Sequence, residues 1–233
     1  MINISSPKLQ LIINTSFQYV IKASALYTID ESHALKHSMQ VFNYATELFK
    51  NTIYISESIP LESMIEQQEI VYIAALLHDM CDHKYVGENE SVALLEMRQY
   101  MSVNANVSEK TMNVVCEIIS SMSYSKVVKH GYPNLGVYNM AYHVVREADL
   151  LAGYDPDRCI IYSMMVEKMC YVESVKRCID LFNKRVFNYI PNMLFVSTTG
   201  LTMAHDLHQR AKYDIAKLSG MLVSINPKIK YTF

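Results

Sequence analysis

Glycine and proline are scarce, six of each in 233 residues. Few turn-punctuating residues, combined with long segments of apolar spacing at three and four, read as an all-α chain. Neither sign of charge is in surplus: 21 Lys and Arg against 23 Asp and Glu give a formal net charge of −2. That balance offers no electrostatic footprint for nucleic acid or an anionic membrane, and neither is an expected partner. Long hydrophobic runs are missing as well, none reaching the roughly 18 apolar residues of a membrane span. MINISSPKLQ lacks the basic start, apolar core and small-residue cleavage site of a secretory signal. The five cysteines, Cys81, Cys116, Cys159, Cys170 and Cys178, form no CxxC pair and fall mostly inside apolar helical patterns. They read as reduced thiols, and the expected location is cytoplasmic.

What is present is an ordinary globular composition, 51% hydrophobic and 19% charged, which excludes disorder. No repeat, low-complexity tract or composition shift marks a linker, so a single domain over 1–233 is expected. Helices are expected near 7–26, 33–50, 62–81, 89–102, 109–123, 137–153, 157–190 and 200–221. The segment 157–190 admits a break near Tyr171–Ser174. Start signals stand at Ser6 before Pro7, at Ser58, at Asn89, at Ser108 and at Asp155 before Pro156. Stops fall at Gly87, Gly131–Pro133 and Pro191–Gly200.

The chemistry collects at LLHDMCDHKY, residues 76–85. Apolar residues occupy nearly every direction of the helix from Ile70 to Leu77, so His78 and Asp79 begin near the core. A buried carboxylate there needs a cation, a hydrogen-bond network or a proton. Neighbouring helical residues project about 100° apart, so this imidazole and carboxylate can converge on one metal ion. Asp82 follows by three and four residues and shares their face one turn further along, if the helix persists. Two ligands are too few, and the second helix offers more: His33 and His37 share a face at i, i+4, beside a core stripe of Leu35, Met39, Phe42, Ala45 and Phe49. In YHVVREADLLAG, the stripe Ala141, Val145, Ala148 and Ala152 carries Asp149 at its edge. Arg146, one turn earlier, points nearly the same way and pairs either with Asp149 or with an anionic ligand.

A histidine in KHSMQVFNYA, then ALLHDMCDHKY, then an aspartate in READLLAGYD resembles the H…HD…D pattern of the HD-domain superfamily of metal-dependent phosphohydrolases, over roughly 25–160. In its HDxxDxK detail it is similar to small bacterial HD hydrolases that act on nucleotides. The resemblance implies an HD-domain helical bundle with its core at about 25–160 and closing helices at about 157–221. It implies one divalent ion, Mn, Co, Ni, Zn, Fe or Mg, held by His37, His78, Asp79 and Asp149. Lys84 matches the family's lysine and becomes the expected catalytic phosphate contact. Asp82, which its spacing puts beside the ion, is expected to be the general base or to orient the attacking water. His33, the next catalytic candidate, and Arg146 are expected either as hydrogen-bond donors behind the ligands or as phosphate contacts. The implied substrate is a small phosphorylated molecule, a nucleotide such as a deoxynucleoside mono- or triphosphate.

Relatives reading DADxLD differ at the third motif, where this chain has Glu147 and Ala152 at the outer positions. The pair His205 and Asp206 follows no apolar run and reads as a decoy. Two other readings remain. One is a dinuclear phosphodiesterase or oxygenase on the same fold, drawing on His83, His130 or His143. The other is a non-catalytic ligand-binding or assembly protein. A homo-oligomer is compatible with all of them.

Overall fold

A computed structural model describes residues 6–55 and 60–225. The start signal at Ser58 lies outside them. Among the described residues the chain is an all-α bundle of eleven helices and three 3-10 turns, with no strand. It divides into two compact units, one running to Ile29 and resuming over His33–Asp149, the other formed by Asp30–Ser32 and the chain from Leu150 onward.

In the first unit α1 (Pro7–Tyr27) starts behind Ser6 with Pro7 in its first turn and closes at Thr28, a left-handed residue whose N–H bonds to Ser24 O. Next come α2 (Leu35–Ile55), α3 (Leu61–Leu77) and the single turn α4 (His83–Val86). They are followed by α5 (Glu90–Ala105), α6 (Glu109–Ser121), α7 (Tyr124–His130) and α8 (Asn139–Ala152), the last three residues of which count with the second unit. Helix α3 is central, packed against α1, α2 and α6. Every residue from Gln67 to Cys81 is buried, the apolar run Ile70–Leu77 as its pattern requires and the polar Gln67, Gln68, Glu69, His78 and Asp79 beside it. Each large aliphatic side chain among them contributes roughly 1.5–3 kcal/mol of burial.

Three expectations are corrected here. The helix expected to reach 81 stops at Leu77, and residues 78–81 form turns before the chain extends at Asp82. On α2 the buried face runs through His37, Ser38, Val41, Ala45, Leu48 and Phe49, while Met39 is 48% exposed. The core stripe is therefore rotated toward the histidine. Helix α7, capped by Gly131 at φ 75, stands where only a loop was expected.

In the second unit the expected 157–190 segment divides into α9 (Pro156–Met165) and α10 (Tyr171–Lys184), followed by a 3-10 turn at Val186–Asn188. The break falls at 166–170, with Lys168 in the left-handed region at φ 58. Helix α10 buries Val175, Cys178, Ile179 and Phe182 and packs on α9 and on α11 (Thr198–Ile225). Asp155 caps α9 by accepting from Asp157 N, and Arg158 Nε donates to Ser32 O at 2.7 Å. No cysteine is disulfide-bonded, and no described helix is long and apolar enough to cross a membrane.

Candidate metal centre

Four side chains from three separate stretches of the first unit meet. His37 comes from the buried face of α2, His78 and Asp79 from the turn that ends α3, and Asp149 from α8. His37 Nε2 and His78 Nε2 are 3.0 Å apart. Asp79 Oδ2 lies 3.3 Å from His37 Nε2 and 3.2 Å from His78 Nε2. Asp149 Oδ1 lies 3.3 Å and 3.7 Å from the same two atoms. Donors about 2.0–2.1 Å from a shared ion sit roughly 3.0 Å apart at adjacent octahedral corners and roughly 3.4 Å apart in a tetrahedron. The His37, His78 and Asp79 spacings match what one ion needs, and these three donors are mutually close enough to hold it, while Asp149 approaches the two imidazoles from outside that group of three.

The donor chemistry fits as well. His78 Nδ1 lies 3.0 Å from the Ala75 carbonyl. An N–H there donates to that oxygen and leaves the Nε2 lone pair facing the cluster, the arrangement that orients an imidazole for a metal. The histidines and Asp79 are buried, whereas the Asp149 side chain is 25% exposed and leaves that edge in contact with solvent.

Without a cation the carboxylates hold a proton on His78 instead. Burial by itself would lower the His78 pKa, but the Asp79 charge and hydrogen bonds to Asp149 and Asp79 override it and raise it to about 10. Burial would raise the Asp79 carboxyl; His78, the charges of Lys84 and His33, and a hydrogen bond from His37 hold it well below the usual carboxylate range.

Around this cluster the other expected residues divide. His33 sits in the turn before α2, its ring 6.0 Å from that of His37, and its Nδ1 is 2.9 Å from the Tyr85 hydroxyl. Lys84 pairs with Asp82 at 2.9 Å and lies 5.2 Å over the Tyr85 ring. Asp82 does not continue the face of α3. It is the N-cap of α4, its Oδ1 accepting from Lys84 N at 3.0 Å, because the chain leaves the helix before reaching it. Helical spacing therefore does not carry Asp82 to the cluster as a base.

Arg146 is 2% exposed, with Nη2 3.5 Å from Glu147 Oε1 and 3.4 Å from His143 Nδ1. Tyr85, whose hydroxyl meets His33, is not singled out by the sequence pattern. His83 and His130 are exposed, and His83 Nδ1 lies 2.7 Å from Gly87 O. His143 stands beside Arg146, and burial together with that charge lowers its pKa to about 4. His205 and Asp206 are exposed on α11 in the second unit.

No protein-family model matches the chain, and no curated protein matches it. Among solved structures, a crystal structure of a Lactobacillus plantarum protein from a structural-genomics programme is similar. Its TM-score is 0.64 at 18% identity, covering 91% of this chain and 97% of that one. At that identity the likeness concerns the fold alone.

Proposed function

We propose that this chain is a metal-dependent phosphohydrolase that cleaves a phosphoester or phosphoanhydride of a small phosphorylated substrate, with a nucleotide as the implied class. The observation that carries the reading is that Asp79 Oδ2 and Asp149 Oδ1 both lie 3.2–3.7 Å from His37 Nε2 and His78 Nε2, which are themselves 3.0 Å apart. A divalent ion held by these donors supplies polarisation of a phosphoryl oxygen and acidification of a water molecule.

The remaining steps belong to side chains. Lys84, oriented by Asp82 and close enough for its charge to act on Asp79, attracts the phosphate that arrives at the cluster. His33, its ring oriented by the Tyr85 hydroxyl, stands on the His37 side and donates to a substrate oxygen. Asp82 positions Lys84, a narrower role than base. A dinuclear centre is disfavoured by the places of His83, His130 and His143, two exposed and one turned to Arg146.

The test is phosphate release from a panel of nucleotides with Mn²⁺, Co²⁺, Ni²⁺ or Mg²⁺, run beside Asp79→Ala. Release that needs an added ion and disappears in the variant is expected. Release equal in both proteins, or none with any ion and nucleotide, removes the reading.

A further inference from the structure

Helix α8 carries Tyr142, Arg146 and Asp149 at i, i+4 and i+7, a single row along one face. Asp149 ends that row at the four-donor cluster. The other two members are buried polar groups with unmet hydrogen-bonding capacity. Tyr142 is 0% exposed and its hydroxyl has no partner; Arg146 is 2% exposed and its Nε has no partner.

The contacts that Arg146 does make are weak. Nη2 lies 3.4 Å from His143 Nδ1 and 3.5 Å from Glu147 Oε1, at the long limit of a hydrogen bond. The guanidinium lies over the Tyr132 ring, with Cζ 4.8 Å from its centre. A buried cation is costly unless well paired, and an unfilled N–H and hydroxyl on one face add to that cost. The ring contact leaves Nε available for an oxyanion.

The geometry points to Arg146 and Tyr142 as an oxyanion subsite that takes a second phosphoryl group, making the substrate a phosphoanhydride in preference to a simple monoester. This assignment rests on the hydrolase reading above. Asp149 follows Arg146 by three residues, about 4.5 Å along the helix axis. A phosphoryl group held at the cluster brings a linked neighbour toward Arg146, whereas a lone phosphate fills only the cluster. No bond is made or broken at the subsite; both residues donate hydrogen bonds. The competing occupant is a water bridging the two groups, a common fate for unfilled polar atoms.

The experiment titrates inorganic phosphate and pyrophosphate into the full chain, with and without Mn²⁺, and reads the ratio of the two affinities. Pyrophosphate is expected to bind at least tenfold more tightly than phosphate in both conditions. Arg146→Gln is expected to bring the ratio to within about threefold of unity, and Tyr142→Phe to an intermediate value. Tyr142→Phe removes one oxygen and decides the matter if the arginine variant does not fold. A ratio near one in the unmodified chain, meaning a water only, overturns the subsite. So does a ratio unchanged in Tyr142→Phe or in a folded Arg146→Gln. Absent Mn²⁺ binding or nucleotide hydrolysis with the ratio preserved removes the hydrolase reading and keeps the subsite. Intact monoester hydrolysis with a ratio near one does the reverse.

Discussion

At the cluster of His37, His78, Asp79 and Asp149, a divalent ion bound as proposed would compete with protons for the same lone pairs. With the His78 pKa raised to about 10 in the metal-free fold, against about 6.5 for an exposed imidazole, the ion must displace a proton across the neutral range. Its apparent affinity should then climb about tenfold per pH unit up to that value, with proton release seen by calorimetry in buffers of different ionisation enthalpy. A pH-independent affinity would contradict the assignment.

The stability linkage has the matching sign. The contribution of charged His78 to the metal-free fold is full below about 6.5 and is lost as pH rises toward 10. Seen from Asp79, the same interaction is present above the ordinary carboxylate pKa and fades as pH falls through its depressed value. Asp82→Asn keeps an oxygen for the Lys84 N–H and loses the ion pair, so the expected result is weaker substrate binding with kcat changed less than tenfold. A fall of a hundredfold or more in kcat with metal content intact would return Asp82 to the base role. The clustering of His78 and Asp79 was legible because a histidine and an acid at the end of an apolar helix need a reason to be there. Tyr85 and Tyr142 were not, because among 17 tyrosines a polar partner looks the same as a core filler.

Helices with punctuation at their ends were legible in the sequence. Ser108 accepts from Thr111 N at 3.1 Å, and Asp155 precedes Pro156, as expected of caps. The end of α3 was not legible, because burial continues through Met80 and Cys81 after the helical hydrogen bonding has stopped, and an apolar pattern reports only burial. The break between α9 and α10 holds no glycine or proline and uses Lys168 at φ 58. Helices α4 and α7 are too short to show a period.

Gly87 closes α4 at φ 59 and ψ −134, a region that side-chain-bearing residues avoid. An added Cβ would meet nothing within 4 Å. Gly87→Ala therefore costs backbone strain alone, about 1–3 kcal/mol, which thermal unfolding should record as a Tm lower by roughly 3–10 °C. An unchanged Tm would mean that the turn bearing Lys84 relaxes freely.

For the molecule as a whole, apolar periodicity gave the all-α class. It could not give the meeting of residues 37, 78, 79 and 149, which depends on packing among separate helices. A site assembled from such distant positions exists only in the folded chain, so an ion bound there adds to folding stability. At a free concentration a hundred times its Kd the gain is about 2.7 kcal/mol, or a Tm rise of roughly 5–10 °C. EDTA should reverse it, and Asp149→Ala should shrink it; an equal rise in that variant would place the ion elsewhere. His37 and Asp149 ride on regular helices, while His78 and Asp79 occupy a short turn closed by Met80 N to Leu77 O at 3.0 Å and Asp82 N to Asp79 O at 3.3 Å. Two donors are thus mounted on long helices and two on a short turn with only these two backbone hydrogen bonds. An ion bound as proposed would take up a change of radius in that turn, so exchanging one first-row cation for another should alter coordination spectra while leaving the far-ultraviolet dichroism unmoved.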